Sequence, residues 1–595
     1  MKEYKITTYL PDLIDAYNEP VQRIDGLVRR PKEIIRKVEF YSVDQFLSGN
    51  KDELGRVKPF INHGNSRVRV AKTATDIDLK EINFEADSLT YAVQAMLINK
   101  EFFKWAKDNN FSNTLNEMGI TRPKYGGVLV KKCEDDGKLE IEVVDWANVE
   151  FDPACIKDGA IIEHHYMDAS ELMKKAELWT GFDDIKDVFK AHAKATKNKP
   201  SKIEILEVTG EFSYSFDPEL DESEANDAKF KDMCFYIAKV NKKNYLLYKE
   251  DLPEGEDKYK YLAWEKVGEG LGRGVWEEGF ESQMRINDQY IQMKNALDLS
   301  GKVFTKGTAR NLGNAITDVD NGHHFDLKAN ETLEAFQLST AALPQFENLI
   351  NQFSNEYNRI SSTYDANTGE QPPSGTPLGQ TQILNQVANS PFQYQQEVWG
   401  LWLNDILNDW VMPYLKKNIL KDHDLVADFS EDELNEIDEA ISNEHINPQI
   451  AQMMFDRKEV TPEIQQGMVD ETKKGLSKFG TKREIKIPKK FLDVGGKLTA
   501  NITGEMKNKQ AILQSMDSIM GKVVQSFDPN TGKYGVLENP TLNKLFKTMV
   551  EMAGIPFSSV QLGNTAGKGG TAPTSMTPDL TAMQTQGQPA PVMAQ

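Results

Sequence analysis

The stretch from Trp276 to Tyr414 limits most what this 595-residue chain can become. Its first part reads as a helix from Trp276 to Ser300, roughly 37 Å long at 1.5 Å per residue. An irregular excursion follows from Gly301 to Thr340. A second helix, PQFENLINQFSNEYNRI, runs from Pro344 to Ile360. Next comes SSTYDANTGEQPPSGTP, from Ser361 to Pro377, a loop of small residues. A third helix then ends in EVWGLWLNDILNDWVMPYL. Asn389–Ser390–Pro391 breaks that helix, because proline lacks the amide donor and crowds the preceding turn. None of these residues forms a recognisable catalytic set, so the order of elements is the signal.

The flanks are of two kinds. Residues 1 to about 100 read as mainly helical, with Leu89, Val93, Met96, Leu97 and Phe103 at core-facing spacing. The basic run Val28 to Lys37 reads as a solvated helix face, with contact to an acidic partner as the alternative. Strands follow in YGGVLVKKC, KLEIEVVDW, GAIIEHHYM, KIEILEVTGEFSYSF and CFYIAKVNKKNYLLY. Asp217 to Asp232, with seven acidic residues, reads as an exposed loop between the last two. Gly268, Gly270, Gly272 and Gly274 alternate before Trp276. Their spacing is not G-x-G-x-x-G, so they read as a flexible hinge.

Beyond the tryptophan-rich helix, Ser430 and Glu433 form a capping box before Leu434, Ile437 and Ile441. Thr461–Pro462 opens a helix. EIKIPKKFLDVGGKLTANITGE reads as two short strands around Gly495–Gly496. NKQAILQSMDSIMGKVV and NPTLNKLFKTMVEMAG read as helices. Gly563 to Gln595 reads as a disordered tail. The fold class expected is α+β, mainly helical.

Composition excludes several functions. The length implies several domains. Hydrophobic residues make up 39%, so the surface is extensively polar or the monomer elongated. A net charge of −21 rules out a tight grip on DNA over the whole surface, although a chain can surround DNA without adhering. The three cysteines, Cys133, Cys155 and Cys234, do not make a disulfide framework and fit a reducing compartment. There is no signal-peptide pattern and no apolar run of about 18 residues, so a soluble protein, cytosolic when made, is expected.

Catalytic chemistry is missing as well. Gly301–Lys302–Val303, Gly496–Lys497–Leu498 and Gly567–Lys568–Gly569 lack the hydroxyl that a phosphate-binding loop places after lysine. His164–His165 lies in a strand, where neighbouring side chains point to opposite faces and cannot chelate one ion. His323–His324 has only Asp326 close by in sequence. No nucleophile signature appears. Neither an enzyme nor a metal or cofactor site is expected.

The order of elements from Trp276 to Tyr414 resembles the portal proteins of tailed bacteriophages. The likeness extends over about residues 20 to 560 and is closest to portals of short-tailed, crAss-like gut phages. VEFDPACIKDGAIIEHHYMDASELMKK is similar to a portal wing segment, and NITGEMKNKQAILQSM to a strand-to-helix passage of some large portals. The resemblance implies a ring-forming portal-type fold. Residues 1–275 would be an N-terminal α+β wing, 276–300 the first stem helix, 301–340 the clip and 341–360 the second stem helix. Residues 361–377 would be the tunnel loop, 378–417 the wing helix, 418–562 a C-terminal wing and crown region, and 563–595 the tail. It further implies a homo-oligomeric ring, a dodecamer, at one capsid vertex of the virion, assembled in the host cytoplasm. Double-stranded DNA would pass through it. Its partners would be the terminase large subunit, the major capsid protein and head-tail connector proteins.

Particular residues take roles from that likeness. Ser361, Ser362, Thr363, Tyr364, Asn367, Thr368, Ser374 and Thr376 would face DNA in the tunnel loop. Small polar groups there let a duplex slide, because each strong phosphate contact must break at every step. Lys302, Lys306 and Arg310 would either touch phosphates at the narrow end or meet an acidic patch on the motor or a neighbouring subunit. Phe346, Leu349, Ile350, Phe353, Tyr357 and Ile360 form one apolar stripe, suited to packing between helices in a ring; the Asn/Gln-rich remainder suits a wet channel wall. Trp399, Trp402 and Trp410 fall at helical spacing and read as core or subunit packing. The rival readings are another capsid- or tail-associated structural protein, and a metal-dependent nucleic-acid-processing enzyme.

Overall fold

Two antiparallel sheets meet through Lys131, Glu163 and Glu207, and each packs against its own helices. The structure is a computed structural model. It describes residues 4–22, 28–52, 55–86, 92–135, 137–175, 202–220, 228–240, 242–253, 256–300, 304–307, 328–336, 343–361 and 378–421. Shorter pieces follow at 425–428, 446–450, 461–476, 482–485, 496–500, 527–528 and 533–534, with a few single positions between. Among the described residues helix makes up about 54% and strand about 23%, a mixed α and β fold dominated by helix.

The N-terminal helix α1 (Lys5–Asn18) buries Ile6 and Leu10. A short pair, β1 (Val21–Gln22) and β2 (Val28–Arg29), leads into α2 (Pro31–Ser42). Proline suits the first position of α2 because that amide needs no partner. The basic run therefore splits between β2 and α2, whose opposite side buries Ile35, Val38 and Tyr41. Asn62 caps α3 (His63–Ala74) by accepting from Asn65 N. After β3 (Ile82–Ala86) come α4 (Ala92–Asp108) and α5 (Phe111–Tyr125). In α4 the buried positions are Leu97, Ile98, Phe102 and Trp105, while Phe103 is 36% exposed. The expected stripe was thus off by one residue at its end.

Strands β4 (Gly127–Asp135) and β5 (Lys138–Val143) come next, followed by the short β6 (Val149–Glu150) and β7 (Ile161–Met167). Helix α6 (Ala169–Lys175) precedes β8 (Ile203–Ser213), β9 (Phe230–Val240), β10 (Lys243–Asp251) and β11 (Tyr259–Ala263). One sheet has the order β10-β9-β8-β7-β6 and the other β11-β4-β5, all antiparallel. Helix α1 covers one face of the larger sheet, against Ile162, Leu206 and Phe235.

The chain then forms α7 (Val275–Glu278), α8 (Phe280–Ser300), β12 (Phe304–Gly307), β13 (Leu333–Phe336) and α9 (Leu343–Ile360). Helix α10 (Leu378–Ile406) runs through Pro391 without the break expected at Asn389–Pro391, and passes through a π-helical turn at Leu407–Val411 into α11 (Met412–Lys421). Beyond it, β14 (Leu425–Asp428), α12 (Pro462–Leu476), β15 (Lys482–Ile485) and β16 (Gly496–Ala500) are described. The two strands expected around Gly495 do not pair with each other: β15 pairs with β14, and β16 with β3. One compact unit runs from Met1 to Ile502 and a second from Thr503 to Gln595. In the second, β17 (Phe527–Asp528) pairs with β18 (Lys533–Tyr534). The capping box at Ser430, both C-terminal helices, His323–His324 and the tail expected from Gly563 lie outside the described residues.

The largest core joins α4, α5 and the smaller sheet to Trp399, Trp402, Trp410 and Leu498. No boundary at residue 275 divides it. Its buried indoles find carbonyls: Trp105 donates to Leu139 O at 2.9 Å and Trp410 to Asp257 O at 3.1 Å. Asn404 and Asn408, one turn apart, clasp β16. Asn408 both donates to and accepts from the Leu498 backbone, and Asn404 accepts from Ala500 N at 2.7 Å. Arg122 of α5 is buried against the indoles of Trp264 and Trp399 and donates to Ala263 O and to Gln395 of α10. Burial pulls this guanidinium down to about 9.

The alternating glycines are not a hinge. A Cβ on Gly272 would lie 2.2 Å from Gly126 O, one on Gly274 2.6 Å from Gly126 N, and one on Gly270 2.2 Å from Pro153 O. Backbone meets backbone at the end of α5, where Gly126 itself has φ +94°. Gly272→Ala is expected to cost roughly 3 kcal/mol in thermal or urea unfolding, because a carbonyl cannot move aside as a side chain can. Gly467→Ala, in the middle of α12 with nothing within 4 Å, is expected to be stabilising by up to about 1 kcal/mol. Equal effects at the two positions would contradict the close-contact reading.

Candidate functional site

Helices α8 and α9 form an antiparallel pair. Gly279, at the start of α8, lies under the ring of Tyr357, near the end of α9. One turn further along, the Arg285 guanidinium lies 5.6 Å from the centre of the Phe353 ring. At the other end, β12 and β13 pair antiparallel, with Lys306 in register with Glu334. The helix expected from Trp276 is interrupted at the single residue Gly279, where a side chain would overlap Tyr357. Its continuous part is Phe280–Ser300.

The root of the pair is fixed by carboxamides. Gln283 and Asn287, one turn apart on α8, are fully buried. Gln283 accepts from His63 N at 2.9 Å and Gly64 N at 3.1 Å and donates to Ile61 O. Asn287 accepts from Ile61 N at 2.9 Å. Trp276 packs onto Gly64 and donates to Asn65 Oδ1 at 3.2 Å. Further out, Lys294 reaches Val57 O at 2.9 Å.

On α9 the inward positions are Phe346, Ile350, Phe353 and Tyr357, of which Ile350 and Tyr357 are buried. Leu349 and Ile360 are 38% and 44% exposed and do not belong to the packed stripe. The outward face carries Asn348, Asn351, Gln352 and Asn355 with Glu347, Glu356 and Arg359. Burial raises the Tyr357 phenol, and among the described residues its hydroxyl has no hydrogen-bond partner.

The expected DNA-facing and subunit-packing residues divide as follows. Ser361 is buried, and its hydroxyl donates to Tyr357 O at 2.8 Å, so it closes the last turn of α9 instead of facing a channel. Ser362, Thr363, Tyr364, Asn367, Thr368, Ser374 and Thr376 lie outside the described residues, as do Lys302 and Arg310. Trp399 and Trp402 stack with centroids 5.4 Å apart inside the chain's own core, and Trp410 is buried there too. Their burial is explained without a neighbouring subunit.

A second cluster escaped the sequence reading. Between the two sheets, Glu163 and Glu207 are paired across β7 and β8. Lys131 of β4 lies 2.7 Å from Glu163 and 3.2 Å from Glu207, and Lys258 lies 3.0 Å from Glu207. His165 Nε2 is 2.9 Å from Glu207, whereas His164 Nδ1 is 2.8 Å from Glu204 on the other face. Past Glu163 the strand runs beyond β6, and a cleft of about 430 Å³ opens there.

Glu163, His165 and Glu207 have the spacing of a metal site. The residues do not suit one, because the Lys131 ammonium already sits among the donor atoms. Two lysines balance two carboxylates without a further cation. Burial pushes Glu207 upward, but the His165 hydrogen bond and the charges of Lys131 and Lys258 outweigh it and hold this carboxyl far below the usual range. The signal in the sequence was a charged residue at alternate positions of strands that are otherwise apolar.

No family model matches the chain, and no curated protein matches it.

Because the folded carboxyl of Glu207 is depressed, its stabilisation is present above the unfolded pKa near 4.5 and is lost as pH falls below it. Glu207→Gln should cost about 3 kcal/mol at pH 7, because two buried lysines are left with Glu163 and the more exposed Glu250 as their remaining carboxylates. It should also flatten the fall in stability below pH 4.5 measured by denaturant unfolding. A variant with wild-type stability and acid sensitivity would contradict this account of the cluster.

Proposed function

We propose that this chain is a subunit of a phage portal, a ring of identical copies at one capsid vertex through which double-stranded DNA is packed and later released. The observation that carries this reading is the order α8, β12–β13, α9 and, after residues 362–377, α10. Two antiparallel helices are joined at one end by a small paired-strand excursion. They are followed by a proline-containing helix whose second half is anchored in the core. In this reading α8 and α9 are the stem, 301–340 the clip, 361–377 the tunnel loop and α10 the wing helix.

The chemistry of the outward face of α9 supports it. Carboxamides with nearly balanced charge give water-filled surface without strong phosphate binding, and DNA must move past such a wall. Exposed Leu349 and Ile360 are suited to contact between copies. The role is mechanical: a separate ATP-driven terminase would supply the force, and the ring would dock it, the major capsid protein and head-tail connector proteins. The described residues contain no helix long and apolar enough to cross a membrane.

Deletion of residues 362–377 is expected to leave particle assembly and the single-vertex location of the protein intact, and to lower packaged DNA measured by nuclease protection. Unchanged DNA content in the deletion particles would remove the role of this loop. Labelling at many capsid positions would favour an ordinary structural protein of the shell.

A further inference from the structure

Two helices of one core turn oppositely charged faces to solvent. Helix α4 buries Leu97, Ile98, Phe102 and Trp105, and α10 buries Trp399, Trp402, Leu403 and Ile406 in the same core. The outward stripe of α4 is Lys100, Phe103, Lys104 and Lys107, at the spacing of a single helix face. Phe103 is 36% exposed at its centre. Lys104 reaches only Glu101, at 3.8 Å, and Asp108 falls to one side of the stripe.

The outward stripe of α10 is Tyr394, Glu397, Val398, Leu401 and Asp405, again one helix face. Tyr394 is 65% and Leu401 58% exposed. Among the described residues Glu397 and Asp405 enter no ion pair; Lys260 is held by Asp409 and by the main-chain oxygen of Asp405. No lysine or arginine occurs in the sequence from Leu378 to Val411.

We propose that the α4 stripe of one copy of this chain docks on the α10 stripe of the next. Phe103 is set against Tyr394 and Leu401, and the lysines face Glu397 and Asp405. Such a contact rests on the reading of the chain as a ring subunit and names the faces that hold neighbouring copies together.

Charge selects this occupant. At a net charge of −21 two copies repel, so a second copy is favoured where a local patch reverses the sign, as α4 does. A two-fold pairing would lay α4 on α4 or α10 on α10 and set like charges opposite each other. A head-to-tail pairing sets opposite charges together, and head-to-tail contacts close into rings when the rotation between copies permits. Packed helices lie roughly 8–10 Å apart, so lysines can reach carboxylates around an apolar centre. The charges steer and register the contact, while the aromatic and leucine side chains supply the buried area.

Charge reversal in the full chain tests the pairing, read by sedimentation velocity and electron microscopy at micromolar concentration. Lys104→Glu with Lys107→Glu, and separately Glu397→Lys with Asp405→Lys, should each weaken association by roughly a hundredfold. Mixing the two variants in equal amounts, or combining all four substitutions in one chain, puts opposite charges back across the contact and should restore assembly. A folding defect would not be rescued in this way. Reversals that leave wild-type assemblies intact, or that abolish assembly with no rescue in the mixture, would overturn the pairing of these faces and leave the ring reading standing. A wild-type chain that stays monomeric would remove both. Open filaments that dissolve and return with the charges would support the faces and contradict the ring.

Discussion

The placement of the α8–α9 pair depends on two buried carboxamides. Gln283 and Asn287 grip the backbone of residues 61–64 as a neighbouring strand would, but from the side of a helix. Each bond contributes only about 1 kcal/mol net, yet a buried amide left unpaired costs about 1–3 kcal/mol. The penalty fixes one register, since sliding α8 by a residue would strand several donors and acceptors at once. Asn404 and Asn408 repeat the device between the end of α10 and β16. Both ends of the helical stretch are therefore keyed to the body of the chain by side chains with little apolar surface.

What lies between those anchors follows from close packing. Glycines at 126, 272 and 274 bring the entry to α7 against the end of α5 with no side chain intervening. Gly279 then lets Tyr357 sit on the helix break, which sets where α9 returns. Arg122 fixes α10 a turn beyond Pro391 through neutral partners and two indoles, so the N-terminal half of that helix begins from a rigid point. The Lys131 and Lys258 network holds the two sheets together behind this assembly. The proposed role as a conduit would call for such rigid attachment and for a wall of weak polar contacts.

Much of this was legible in local patterns. The helices on either side of residues 301–340, the main strand runs and the burial of Trp399, Trp402 and Trp410 follow from periodicity. Partners far apart in sequence do not. Nothing near Gly495 indicates that β16 pairs with β3, more than 400 residues away. Glycine permits both a hinge and a close contact, and only Gly126, on another element, decides between them. Phe103 and Phe102 fit the same helical stripe until the facing sheet selects Phe102. Ser361 looked like the start of a polar loop because a hydroxyl closing a helix turn has the same composition as one facing water. Nothing in the alternation along β4 and β8 indicates that Lys131 and Glu207 meet, because alternation alone cannot reveal a second sheet laid over them.

Electron microscopy of the purified full chain at micromolar concentration tests the central claim most directly. The portal reading predicts closed rings with a central hole, and the same rings at one vertex of isolated particles. A strict monomer in solution and in particles would contradict it.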